Sequence, residues 1–128
     1  MPASPPDVDI ELTDPDIAGR LAREAVLRLI HVRRDTEFAQ DALLVVSELV
    51  TNAVRHTAGT CTLAAWNGPT WLRVEVRDSS TELPRFSPTP PGPLEVGGRG
   101  LHIVDTLSRQ WGVRSAEHGK TVWAEIAH

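Results

Sequence analysis

Val8, Ile10 and Leu12 alternate with Asp9 and Glu11, the period of a strand with one buried face. After "TDPD" the spacing changes. Ile17, Leu21, Ala25, Leu29 and Ile30 recur mostly every fourth residue, which predicts a helix to about Arg33. Asp14 is its expected cap, with Pro15 in the first position, where a missing N–H does no harm. The run "RRDTE" breaks the pattern. Phe38, Ala42, Val45, Leu49 and Ala53 then form a second stripe at helical spacing. It predicts a helix capped by Asp35 or Thr36 that runs to about His56 and is ended by Gly59.

Two β-prone runs, "TCTLAAW" and "WLRVEVRD", flank "NGPT". Asn-Gly favours a tight turn and Pro69 lengthens it, so a hairpin with a loop of more than two residues is predicted. From Ser79 to Gly98 the chain reads "SSTELPRFSPTPPGPLEVGG", with proline at 84, 88, 90, 91 and 93. No regular element fits there, and a stretch this long inside a compact domain is more often a lid or binding loop than filler. Leu101, Val104 and Leu107 restore a helical pattern. "WGVRSAE" and "TVWAEIAH" around "HGK" predict a last hairpin. Trp66, Trp71, Trp111 and Trp123 all fall on predicted strands, where packing is their expected role. The order strand, two helices, two strands, loop, helix, two strands points to an α+β two-layer sandwich: a mixed, mostly antiparallel sheet covered on one face by helices.

The chain's 128 residues suit one core, here residues 7–128 after a flexible tail at 1–6. The net charge of -4 and the lack of any basic block exclude a general binder of nucleic acid or anionic membrane. Cys61 is the single cysteine, which rules out an internal disulfide and a cysteine-based zinc site. No segment approaches the roughly 20 apolar residues that span a bilayer, and "MPASPPDVD" has no secretory character. The expected location is the cytoplasm.

Against this background a few polar residues stand out. Glu48 and Asn52 lie one helical turn apart at the margin of the second stripe. An Asn oxygen is a suitable hard ligand for Mg²⁺, and a carboxylate beside it can hold a metal-bound water or accept a proton. Gly97, Gly98 and Gly100 precede a helix, whose first N–H groups attract phosphate. The signatures GxxxxGK[ST] and GxGxxG are absent. Asp78 ends a strand at the mouth of the proline-rich stretch, where a carboxylate can accept from an exocyclic amine such as that of adenine. Each feature alone has a plainer role: a solvated pair, a flexible lead into a helix, a turn former. Thr121 is by default a β-branched strand residue. The histidines show no ligand spacing, and His56 suits a helix C-terminus on dipole grounds.

Together, Glu48-x-x-x-Asn52-Ala53, Asp78 after a strand, a lid, Gly98-Arg99-Gly100-Leu101 opening a helix, and Gly119-x-Thr121 on a late strand resemble the GHKL ATPases, which include gyrase and histidine-kinase ATP domains. Within that superfamily the short chain resembles bacterial anti-sigma factor serine kinases of the RsbW and SpoIIAB type. The resemblance implies ATP and Mg²⁺ as cofactors. Asn52 would bind the metal, Glu48 would act as base or hold a metal-bound water, and Asp78 would contact the adenine amine. Gly98, Arg99, Gly100 and Leu101 would form the phosphate side, Thr121 would support the adenine end, and residues 79–97 would be the lid. It further implies a serine kinase that phosphorylates an anti-anti-sigma (STAS-type) partner and sequesters a sigma factor, commonly as a homodimer. A non-catalytic sequestering module and a histidine-kinase-type ATP domain are the alternatives. Two departures bear on affinity. Asp78-Ser79-Ser80 stands where the family has Asp-x-Gly, and serine takes a left-handed conformation less freely than glycine. The lid's prolines restrict their own backbone and that of their predecessors.

Overall fold

The computed structural model describes residues 4–31, 36–55, 57, 60–81 and 99–128, with Arg99 and Gly100 given by backbone alone. Along the chain lie β1 (Val8–Leu12), α1 (Ala18–Ile30), α2 (Glu37–Arg55), β2 (Cys61–Asn67), β3 (Trp71–Asp78), α3 (Arg99–Leu107), β4 (Gln110–Ala116) and β5 (Gly119–Ala127). This is the order that the hydrophobic pattern predicts. The strands form one sheet in the order β1-β2-β3-β5-β4. Every pairing in it is antiparallel, so the sheet is not mixed.

Strand alternation decides what each face carries. Leu63 and Ala65 of β2, Leu72, Val74 and Val76 of β3, and Val122, Ala124 and Ile126 of β5 face the helices and are buried. Ala39, Ala42, Val45, Val46, Leu49, Val50 and Ala53 cover them from α2. This helix lies over β2, β3 and β5 and packs beside both α1 and α3. It is therefore the central support of everything on the helix side. Truncating Leu49 to Ala there costs about 2–5 kcal/mol by lost burial and the cavity left behind.

The helix termini follow local chemistry. The Thr36 hydroxyl accepts the Ala39 N–H at 3.2 Å, the bond of an N-cap side chain to the amide three residues on; Asp35, His56 and Gly59 lie outside the described residues. At α1 the expectation fails. The Asp14 carboxylate accepts the Asp16 N–H and the Asp14 carbonyl accepts the Ile17 N–H. These bonds close a turn, and the helix begins only at Ala18 without a side-chain cap. It ends at Ile30, short of Arg33, because His31 takes the left-handed conformation with φ 53°.

The buried face of α1 is also displaced by one position. Ala18, Ala22, Val26 and Ile30 point inward, whereas Leu21 is exposed. Apolar residues occupy adjacent positions here (21 and 22, 25 and 26, 29 and 30), so two stripes compete, and the one with two alanines at its N-terminal end is the one that lies inward. The β2–β3 loop has the predicted extra length, closed by the Gly68 N–H donating to the Trp71 carbonyl at 2.8 Å. A Cβ on Gly68 would sit 2.8 Å from the Trp71 indole.

Candidate nucleotide site

Asp78 is the last residue of β3 and pairs with Lys120, the second residue of β5. Period-two alternation from Val74 and Val76, and from Val122 and Ala124, places both side chains on the helix face. They meet there. The Lys120 Nζ donates to Asp78 Oδ1 at 3.0 Å and lies 3.0 Å from Oδ2, with each side chain 1% exposed. Oδ1 also accepts the Ser80 N–H at 2.8 Å. Oδ2, although buried, takes part in no hydrogen bond among the described residues. Gly119 is obligatory in this arrangement, because any Cβ would run into the Asp78 carbonyl.

These residues border a pocket of about 510 Å³ at the end of the sheet. Cys61, Ser79, Thr121 and the turn residues Glu117 and His118 complete much of its described lining. Burial pushes the Cys61 thiol up to about 11, with the neighbouring Asp78 charge adding to the effect. The thiol is accordingly a neutral wall. Ser80 needs no glycine-like backbone: among the described residues only His31 is a non-glycine with positive φ. The turn is held instead by the hydrogen bond from the Ser80 amide to the Asp78 carboxylate.

Thr121 also lines the pocket and is buried. However, its partner across the sheet is Arg77, so it projects to the face opposite Asp78. The residue brought onto Asp78 is Lys120, which sequence reasoning passed over. Two signals pointed to it: Lys120 is the chain's sole lysine, and counting by twos from Val122 gives it the core side.

The other wall is on α2. Glu48 and Asn52 are both partly buried and occupy one side of the helix, a turn apart. Asn52 Nδ2 is buried and has no hydrogen-bond partner among the described residues. Neither residue borders the pocket beside Asp78. They are linked to it through α2, which packs on β3 and β5 and also on α3. Gly98 and the lid from residue 82 onward lie outside the described residues. Arg99 and Gly100 form the first turn of α3, and Leu101 behind them is buried.

The opposite face of the sheet carries a separate set of charges. Arg73 donates to Glu75 at 2.8 Å and to Glu125 at 2.9 Å, and its guanidinium lies 4.3 Å from the Trp123 ring centre. Gln110 donates to Glu125 at 2.7 Å, and Arg114 reaches Glu75 at 3.4 Å. Burial tends to raise the Glu125 carboxyl. Hydrogen bonds from Gln110 and Arg73, with the charges of Arg73 and Arg109, more than offset this and hold it below its ordinary value.

Asp78 Oδ2, in ion-pair contact with Lys120, and the Asn52 amide nitrogen on α2 are buried polar atoms that have no hydrogen bond among the described residues. The histidine kinase-like ATPase domain family matches residues 13–126, and the chain belongs to that family. It is an ATP-binding domain of GHKL type. A solved structure of the histidine kinase domain from Erythrobacter litoralis EL346 blue-light activated histidine kinase is 22% identical, with a TM-score of 0.49, covering 97% of this chain and 70% of that one. Among curated proteins none matches. No helix among the described residues is long and apolar enough to cross a membrane.

Proposed function

We propose that the protein is an ATP-dependent protein-serine/threonine kinase that also acts as an anti-sigma factor, of the RsbW and SpoIIAB type. In this reading it phosphorylates a serine on a STAS-type anti-anti-sigma protein and, when that partner is phosphorylated, sequesters a sigma factor as a homodimer. The observation that carries the nucleotide part is the buried Asp78 oxygen without a hydrogen bond at the pocket. It is an acceptor suited to an exocyclic base amine.

Asn52 would hold Mg²⁺ through its side-chain oxygen, a ligand type suited to a metal that keeps water and phosphate oxygens for most of its shell. The side chain is not pinned by its nitrogen, because Asn52 Nδ2 has no hydrogen-bond partner among the described residues, which leaves the amide able to turn its oxygen toward a metal. Bound Mg²⁺ would offset charge on the phosphates. Glu48, one turn earlier, would accept the proton of the serine hydroxyl or hold a water. The backbone N–H groups at the start of α3 would hold phosphate, as an unpaired helix N-terminus is suited to do.

Incubation with labelled ATP, Mg²⁺ and the cognate antagonist tests this reading. Transfer to serine by the intact protein and its loss in Asn52→Ala are expected; binding of ATP with no transfer would overturn the kinase assignment. A second reading, a nucleotide-binding module that sequesters its partner without phosphorylating it, is favoured by Glu48, which makes no hydrogen bond or ion pair among the described residues. Sigma-factor capture that is equal with and without nucleotide, together with no turnover, would select it. Phosphate appearing on a histidine would select a histidine-kinase-type domain instead.

A further inference from the structure

The Lys120 ammonium is almost wholly buried, and among the described residues its sole partner is the Asp78 carboxylate. An ammonium has three N–H donors, so the hydrogen bond to Oδ1 leaves donors without an acceptor, in a place where water has little access. Asp78 is in the complementary position. Oδ1 already receives the Ser80 amide and the Lys120 ammonium, while Oδ2 receives no hydrogen bond. Both residues border the pocket. The pair therefore presents Oδ2, which is in ion-pair contact with Nζ at 3.0 Å but receives no hydrogen bond among the described residues, beside ammonium donors that remain unused. Buried polar groups are rarely left unmatched without a reason.

We propose that Lys120 is the residue that reads the base: while Asp78 Oδ2 accepts from the exocyclic amine of adenine, the Lys120 ammonium donates to the adjacent ring nitrogen N1. This assignment rests on the nucleotide-binding reading above and specifies how the base is chosen. On its Watson–Crick edge adenine offers a donor and then an acceptor on neighbouring positions, which matches the acceptor Oδ2 and the unused Nζ donors. Guanine offers a carbonyl and two adjacent donors. Its two donors call for both carboxylate oxygens, and Oδ1 is already doubly engaged. Guanine would thus leave one donor unmatched in a buried place, which is the situation in which specificity is greatest.

The test is a titration of the intact protein, with Mg²⁺, against ATP, 1-deaza-ATP and GTP, repeated with Lys120→Met and Lys120→Arg. 1-Deaza-ATP keeps the exocyclic amine but replaces N1 by C–H. The intact protein is expected to bind ATP about tenfold or more tightly than 1-deaza-ATP, the factor typical of a hydrogen bond from a charged donor, and to discriminate against GTP at least as strongly. In Lys120→Met, ATP and 1-deaza-ATP should bind alike, and Lys120→Arg should restore part of the difference. A Lys120 that only supports the fold would change both affinities together and leave their ratio alone. Equal binding of ATP and 1-deaza-ATP by the intact protein overturns the proposal while leaving nucleotide binding in place, and needs no variant to fold. GTP bound as well as ATP overturns it too. Failure to bind any of the three overturns the nucleotide reading and this inference with it.

Discussion

The two faces of the sheet handle buried charge in different ways. On the open face, Arg73 is shared between Glu75 and Glu125 and stacks on Trp123, while Gln110 and Arg114 bond the carboxylate oxygens that remain. On the helix face, Lys120 and Asp78 have each other and the Ser80 amide, and the capacity of both is incompletely used. A saturated network holds strands in register and has nothing left to offer a ligand. An unsaturated pair beside a pocket is costly to the fold and is chemically ready for one. By this contrast the charge we assign to the ligand is the sparsely bonded one, even though among the described residues the open face carries more ion pairs.

Removing Asp78 breaks that comparison most severely. Asp78→Ala leaves the Lys120 ammonium buried and unpaired, and denaturant unfolding should show a loss of about 3–5 kcal/mol together with loss of ATP binding. The paired replacement Asp78→Leu with Lys120→Met should recover most of the stability, since apolar substitutes for a buried pair are often neutral or better. It should not recover binding. Arg73→Met is the matching experiment on the open face. It leaves Glu75 and Glu125 without their shared cation and should cost about 2–4 kcal/mol, yet nucleotide affinity should be unchanged; a loss of affinity would show that the two faces are not independent.

Gly119→Ala probes the backbone beneath the pair. Its new methyl group meets the Asp78 carbonyl, so a destabilisation of about 1–3 kcal/mol is expected, in the range of overpacked positions, with weaker ATP binding as Asp78 shifts. The smallest effect is that of pH on the open face. The Glu125 carboxyl is held below its ordinary value of 4.5, so its contribution to stability is complete above about pH 4.5 and is lost as the pH falls through the lower folded value. Unfolding curves of Glu125→Gln should be flatter in that acid window than those of the intact protein.

Much of this was readable from the residues, and the places where reading failed share a cause. The stripe on α2 could be followed because one apolar face faces one polar face. On α1 adjacent apolar pairs made two faces eligible, and only the packing against α2 and the sheet separated them. Asp14 has the chemistry of a cap, but the competing turn to Asp16 and Ile17 uses it first. Glu48, Asn52 and Asp78 could be singled out as candidates from type and spacing. Counting by twos from Val122 puts Lys120 on the core side, but that it lies opposite Asp78 depends on the β3–β5 register, and register is a property of two strands together. Ser80, a departure when judged by residue type, needs no left-handed backbone here, because its amide bonds the Asp78 carboxylate.

The central claim is that the helix-face carboxylate, and not the denser network behind it, receives the base. A calorimetric titration of Mg²⁺-ATP into Asp78→Asn, beside the intact protein and Arg73→Met, tests it most directly. The account predicts at least about a tenfold loss of affinity in Asp78→Asn, with Arg73→Met binding as the intact protein does. Equal ATP affinity in Asp78→Asn and the intact protein would contradict it.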